Sequence, residues 1–406
     1  MPSSQLVVDH STKIIELTTQ TKVAALIWNG NFSRVYLCYD HSSVKRSASA
    51  SKVVKVYLRQ TAEIRSQRIM NEKKAWHRAN LANNPYISKL LGTLKDSIHL
   101  YFVMTAYHCG HICLHIRGSE SGRFSPIVAR NYSTEILSAL LAIIKCGCVH
   151  RDIKASNCLI DRYGHVQICD FGASKVLFEP EEYSAVMSDS DVMDVRTYTL
   201  IGTMQYMAPE IIARTSGYSF EVDWWAFGVL LYEMICGSLP TFQDVPSQNN
   251  KEAVAAAVLG LWPSQEASSM ALAATQSRIW PTRETSSTEA HDTSYRGYES
   301  WCPTPSANDE SILFSSIQHI NAWNLIQDLL VACPHDRLGP RAPNLLKNHE
   351  FFHGVNWDDV DNGVSPPPDV EFNRSFGFLD LEDDVLEERT PEEIEIDVKL
   401  FKDFST

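Results

Sequence analysis

The ten cysteines of this 406-residue chain include no C-x-x-C pair and no secretory spacing. Neither a disulfide framework nor a zinc site is therefore expected, and the setting is read as a reducing cytoplasm with access to the nucleus. The first twenty residues lack the apolar stretch of a signal peptide, position 2 is Pro rather than Gly, and no run is read as long enough to span a membrane. Positive charge is also short, with 36 Lys and Arg against 49 Asp and Glu and a net charge of −13. That balance argues against a nucleic-acid partner, and the excess acid gathers after Trp357. No internal repeat is visible. With 44% hydrophobic and 21% charged residues, the chain reads as a soluble monomer with one two-lobed domain and tails.

Between Lys22 and Tyr107 the sequence favours short apolar or alternating runs: AALIW, SRVYLCYD, KVVKVYL, ISKLLGTL and HLYFVMTAY. These predict strands. Ala62 to Ala79, rich in Glu, Lys, Arg and Ala, predicts a helix among them. From Ser125 onward the periodicity is helical, as in VARNYSTEILSALLAII, DWWAFGVLLYEMI and AWNLIQDLL. A small β-rich lobe thus precedes a larger α-helical lobe. Ser42 to Ser51, Glu179 to Asp194 and roughly Pro263 to Glu310 read as mobile, the last as a disordered surface insertion over 263–310.

The most informative stretch is His150-Arg151-Asp152-Ile153-Lys154-Ala155-Ser156-Asn157, followed after an apolar strand by Asp170-Phe171-Gly172. It supplies a general base (Asp152), a cation beside it (Lys154) and two oxygen ligands for a metal (Asn157, Asp170), at the spacing that phosphoryl transfer needs. The bland alternative is a polar hairpin with stray charges, which requires both motifs to fall in order by chance. The stretch resembles the catalytic loop of eukaryotic protein kinases.

That resemblance implies a bilobal α+β kinase fold using ATP and Mg and acting on protein substrates. It divides the chain into an N-terminal extension (1–20), a kinase domain (21–352, with an N-lobe over 21–104 and a C-lobe over 105–352) and a C-terminal tail (353–406). Lys55, on an apolar strand, needs a counter-charge because isolated burial is costly, and Glu72 on the following helix can supply it. Lys52 competes for the role, being read on the same strand face, and an exposed lysine with an unrelated glutamate is the plainer alternative. The lid over the nucleotide would be Ile27-Trp28-Asn29-Gly30-Asn31-Phe32-Ser33-Arg34-Val35. Only Gly30 and Val35 match the G-x-G-x-x-G-x-V pattern, Trp28 and Ser33 replacing its other glycines. Ile27, Gly30, Val35, Lys55, Met104, Ala106 and Tyr107 are the expected nucleotide contacts, with Met104 at the gatekeeper position. Cys169 borders the same site, where a buried inert thiol is the plainer reading.

Lys154 within H-R-D-x-K resembles the serine/threonine class. Thr199-Leu200-Ile201-Gly202-Thr203-Met204-Gln205-Tyr206-Met207-Ala208-Pro209-Glu210 is similar to the activation segment of AGC-group kinases. By that match Thr199 is a phosphosite for an upstream activating kinase, its charge pairing with Arg151, and Thr203 faces Asp152 and Lys154. An unmodified loop threonine is the plainer alternative. Asp223 would brace the catalytic loop, and Arg337 would be the buried partner of Glu210. The tail resembles its AGC counterpart through Phe351 to Trp357, Pro366-Pro367-Pro368, Phe372 to Phe376, a Thr390-Pro391 phosphosite and the terminal Phe401-Lys402-Asp403-Phe404-Ser405, with Ser405 a further phosphosite. Gly202 to Glu210 and the compact layout look closest to the ribosomal protein S-six kinase-related branch. His111 and Ser156 stand where related kinases place acids that read an upstream arginine, leaving Glu233. A weaker dependence on that arginine is expected.

Overall fold

The computed structural model describes residues 21–30, 33–40, 51–57, 59–95, 99–188, 196–213, 217–242, 303–304, 309, 312–313, 315–339 and 343–368. The extension over 1–20, most of the 263–310 insertion, and Phe372, Phe376, Thr390 and Phe401 to Ser405 lie outside the described residues.

Five strands, β1 (Thr21–Asn29), β2 (Ser33–Asp40), β3 (Ser51–Tyr57), β4 (Leu90–Lys95) and β5 (Leu100–Thr105), form one antiparallel sheet in the order β1-β2-β3-β5-β4. Alternation along β3 explains its two faces. Val54 and Val56 pack with Tyr36, Cys38 and Tyr101 on one side, whereas Val53 joins Leu37 and Ala106 on the other. Lys52 stands three positions before Lys55, so alternation puts it on the opposite face, and the same-face reading of the two lysines is corrected.

Helix α1 (Arg59–Leu81) runs longer than the 62–79 expected. Its buried stripe is Ile69, Glu72, Trp76 and Ala79, the three-to-four-residue spacing of one helix face. Glu72 therefore lies on the face turned into the protein, where a carboxylate requires a partner. The Trp76 indole N–H donates to the Ser88 carbonyl at 2.7 Å, fixing the helix to the linker that follows it.

The helical lobe is built on α2 (Ile112–Gly118), α3 (Pro126–Lys145), α4 (Glu221–Cys236) and α5 (Ile317–Leu329). Ser125 caps α3 by accepting from the Val128 N–H at 3.3 Å, and Pro126 suits the first helical position. By length and apolarity α3 could cross a membrane, which the reading of run lengths passed over. Its apolar window is 72% buried in the lobe, as a core helix requires. Strand pairs β6 (Cys148–Val149) with β9 (Lys175–Val176), and β7 (Cys158–Ile160) with β8 (Val166–Ile168), carry the loops of the site.

Two expected mobile segments are partly ordered. Residues 179–188 form a turn and a short helix, because Pro180 opens the turn, Glu179 and Glu182 cap it reciprocally, and Arg78 of α1 pairs with Glu179. At the far end of the insertion, Pro303–Thr304 pairs with Thr241–Phe242, and Asp309 accepts from the Tyr232 hydroxyl at 2.8 Å. Ser51, expected in a loop, begins β3. The last described element, α6 (Trp357–Asp361), docks through Trp357, whose ring meets Phe352 edge-on at 5.4 Å.

Candidate active site

The floor of the cleft follows β6. Arg151 adopts a left-handed backbone, φ 66°, a costly conformation for a non-glycine residue that persists only when its surroundings enforce it. The enforcing group is Asp223 of α4, whose two carboxylate oxygens accept the backbone N–H groups of His150 and Arg151, both at 2.7 Å. Burial raises the Asp223 pKa, partly offset by His150 and these two N–H bonds.

Asp152 is held by three donors. Thr203 Oγ1 donates to its Oδ1 at 2.7 Å, while Lys154 Nζ and Asn157 Nδ2 approach its Oδ2 at 2.8 and 2.9 Å. Lys154 also donates to Thr203 at 2.7 Å, and Asn157 to the Asp152 carbonyl at 2.8 Å. An ionised carboxylate offers about four lone-pair sites, so this one retains capacity for one more hydroxyl proton.

Lys55 bridges the lobes. Its ammonium lies 2.9 Å from Glu72 Oε1 and 2.9 Å from Asp170 Oδ1. The Tyr57 hydroxyl donates to the other Glu72 oxygen. Burial alone would pull Lys55 down, yet Asp170 and Glu72 outweigh it and hold the ammonium well above the usual lysine range. Lys55 in turn holds the Asp170 carboxyl well below the usual carboxylate range. The anchor for Asp170 is Phe171, stacked on Trp76 at 5.4 Å and edge-on to His150 at 4.9 Å. Arg68 of α1 donates to the Gly172 carbonyl at 2.6 Å, tying the same helix to this turn.

Beneath the sheet, Ile27, Val35, Met104 and Ala106 gather into one apolar cluster with Leu37 and Val53. The last two were not singled out from sequence. Period-two alternation pointed to them, since Leu37 follows Val35 by two residues and Val53 precedes Lys55 by two. Burial pushes the Tyr107 hydroxyl up to about 12, and it accepts from the Lys89 N–H at 3.4 Å. The Gly30 N–H closes the lid turn on the Ser33 carbonyl at 3.0 Å. Trp28, 53% exposed, lies against Gly30, for a Cβ there would fall 1.9 Å from the tip of its indole. Burial pushes the Cys169 thiol well above its usual range, consistent with an inert thiol.

Around Arg151 the structure groups residues that the motifs did not suggest. Its guanidinium donates to the Ala173 carbonyl at 2.6 Å and reaches Tyr218 at 3.3 Å and Thr197 at 3.5 Å. Thr199 is exposed, and it is its carbonyl that meets the Tyr218 hydroxyl, so the Thr199 side chain is not brought to Arg151 here. Burial lowers the Arg151 pKa and Arg68 adds to this, while burial and then Arg151 lower Lys175. Arg337 meets Glu210 with two bonds, 2.7 and 3.0 Å, both side chains buried. Glu233 accepts from the Tyr206 hydroxyl, and His111 caps the start of α2 without a side-chain cap bond.

A β-sheet lobe over a helical lobe, joined at a cleft by a lysine shared between two carboxylates, defines a nucleotide-dependent phosphotransferase architecture. The profile of the protein kinase domain matches residues 22–352, and the chain belongs to that family. It is 37% identical over 215 residues to a "cAMP-dependent protein kinase, catalytic subunit-like" protein of Caenorhabditis elegans, covering 53% of this chain and 48% of the relative. It is 27% identical over 387 residues to "cAMP-dependent protein kinase catalytic subunit PRKX" of Mus musculus, covering 94% and 86% of the two chains. To the "Putative protein kinase C delta type homolog" of Drosophila melanogaster it is 42% identical over 157 residues, covering 39% and 21%. The chain is thus a distant relative of serine/threonine kinases of the AGC group. It spans about half the length of the nematode relative.

Proposed function

We propose that this chain is an active serine/threonine protein kinase that transfers the ATP γ-phosphate to protein hydroxyls with Mg. The observation that carries the reading is Lys55, equidistant at 2.9 Å from Glu72 and Asp170, so that sheet, α1 and catalytic floor are registered on one cation. In this reading Asp152 orients the substrate hydroxyl and takes its proton late, and Lys154 offsets charge on the moving phosphoryl group. Asn157 commits its amide nitrogen to Asp152, leaving its carbonyl oxygen, together with Asp170, as the hard oxygen donors that suit Mg. Bound between them and the phosphates, the ion would neutralise developing charge.

Phosphorylation of Thr199 by an upstream kinase is part of the same reading. Its support is the grouping of Arg68, Arg151 and Lys175, whose mutual repulsion an anion would relieve. Thr390 and Ser405 of the 353–406 tail are assigned as further phosphosites. The kinase domain is assigned to 21–352, in a monomeric cytoplasmic protein with access to the nucleus. Among AGC branches, the S-six kinase-related one is favoured by Gly202 to Glu210. Substrate choice is read as only weakly dependent on an upstream arginine, because Glu233 is engaged by Tyr206 and lies near Arg117.

A weakly active or inactive pseudokinase-like signalling scaffold is the second reading, favoured by the degenerate glycine-rich loop and by Trp28 lying over Gly30. Magnitudes decide between the two. A lid lacking glycines weakens phosphate binding, whereas losing a catalytic or metal-holding group costs several kcal/mol, on the order of 100- to 1,000-fold in rate. The test is radiolabelled transfer by wild type, Asp152→Asn and Lys55→Met to peptides with and without an upstream arginine. Wild type should incorporate label and both variants lose it; equal incorporation by all three ends the kinase reading, and an absolute need for arginine ends the substrate reading.

A further inference from the structure

Beyond the cleft, the described part of the tail meets the small lobe at a polar contact. The Ser365 hydroxyl lies 3.2 Å from that of Tyr86, in the linker between α1 and β4. The approach is close: Gly363 has φ 68°, and a Cβ there would fall 2.8 Å from Pro85. The tail reaches this point from α6, whose Asp361 accepts from Ser138 of α3 and pairs with Lys347, both at 2.7 Å.

The linker is also tied to the catalytic floor. The Tyr86 carbonyl accepts from Ile168 N–H at 2.9 Å, Ser88 N–H donates back to Ile168 at 2.9 Å, and Gln167 donates to the Pro85 carbonyl at 2.9 Å. On its N-terminal side the linker continues from the helix that carries Glu72, and β8 runs on into Asp170.

The surroundings are acidic. Burial, and then Glu135, Asp361 and Asp161, push the Tyr86 hydroxyl up to about 12, partly offset by the Ser365 hydroxyl. Among the described residues, His165 bonds Glu135 at 2.7 Å, Lys347 pairs with Asp361, and Arg162 lies over the Tyr163 ring. Meanwhile the segment around Ser365 faces solvent, with Val364 68% exposed and Pro366 and Pro367 exposed.

We propose that Ser365, followed by Pro366, is a phosphorylation site for a separate proline-directed protein kinase, and that its modification releases the tail from the Pro85–Tyr86 linker. Proline after the acceptor brings a fixed φ and no N–H, so a kinase with an apolar, acceptor-free subsite there selects it. In the reaction the Ser365 Oγ–phosphorus bond forms and the bond from the ATP γ-phosphorus to its bridging oxygen breaks. ADP leaves, and the hydroxyl proton passes to the modifying kinase. The product is a near-dianion beside the Tyr86 hydroxyl, which already feels Glu135, Asp361 and Asp161, and its charge and bulk together with the lost Tyr86 contact detach the strap.

The test treats the purified full chain, and Ser365→Ala, with a proline-directed kinase and ATP, and maps phosphate by peptide mass and backbone order by hydrogen exchange. Phosphate should appear at Ser365 of the wild type, and exchange over 82–89 and 357–368 should rise about tenfold. The helix over 221–236 should be unchanged, and Ser365→Ala should show no rise. Three results overturn the proposal: phosphate at Thr390 but none at Ser365, phosphate at Ser365 with unaltered exchange, or equal Ser365 phosphorylation without the added kinase. None of these readouts needs the chain's own transfer activity, so failure here is distinct from failure of the kinase reading.

Discussion

The floor of the cleft and its lid are held by different means. On the floor, polar groups satisfy one another in a closed network: Asp152 takes three side-chain donors, Asp223 two backbone N–H groups, and Glu210 both arms of Arg337. Among its described residues the lid shows, beyond the β1–β2 ladder, a Gly30–Ser33 backbone bond, an exposed Arg34–Asn29 bond at 3.3 Å and a half-exposed indole lying on a glycine. A buried satisfied network is rigid because every broken bond leaves an unpaired group in low dielectric, whereas water repairs a broken bond at the lid. The arrangement of the floor is therefore secured independently of the lid.

The sharpest way to break this comparison is on the floor. Arg337→Ala should leave Glu210 buried without its partner and cost roughly 3–5 kcal/mol, read as a lower urea midpoint with unchanged slope. A loss under about 1 kcal/mol would show that the floor is no more tightly held than the lid.

A smaller effect is expected above it. Gly30→Ala must displace the Trp28 ring, but that ring is exposed and swings outward, so the cost is a lost contact of about 1 kcal/mol, a several-fold weaker ATP affinity. In a Trp28→Ala background the same change should cost much less. Additive losses in nucleotide titrations would refute the packing of one on the other.

The smallest effect concerns His165, whose pKa is raised by its Glu135 bond against the opposing pull of burial. A folded-state pKa above the unfolded value, about 6.5, gives stabilisation that is complete below that pH and fades as pH rises through the raised value. Half-buried and partly screened, the group should contribute no more than about 1 kcal/mol. Melting temperatures of wild type and His165→Gln should converge on raising the pH; a constant difference would exclude the linkage.

Much of the fold was legible in the sequence. The β-to-α change in periodicity gave the two lobes, and the order of Asp152, Asn157 and Asp170 gave the floor. Misreadings arose where long-range contacts decide. Residues 179–188 look like a loose acidic stretch until Arg78, far away in sequence, closes on Glu179. Lys52 was misplaced by a miscount of strand alternation, which geometry settles at once.

By itself the sequence determined the inventory: a strand lysine, a helix glutamate, a candidate general base, two candidate oxygen ligands, and a lid with one matching glycine. It did so because local periodicity and motif spacing are properties of neighbouring residues. Only tertiary structure decided that Lys55 is shared equally by Glu72 and Asp170, that Thr197 rather than Thr199 faces Arg151, that Trp28 covers Gly30, and that Ser365 touches Tyr86. Each joins chain segments whose approach depends on how the lobes pack, and no local pattern encodes that distance.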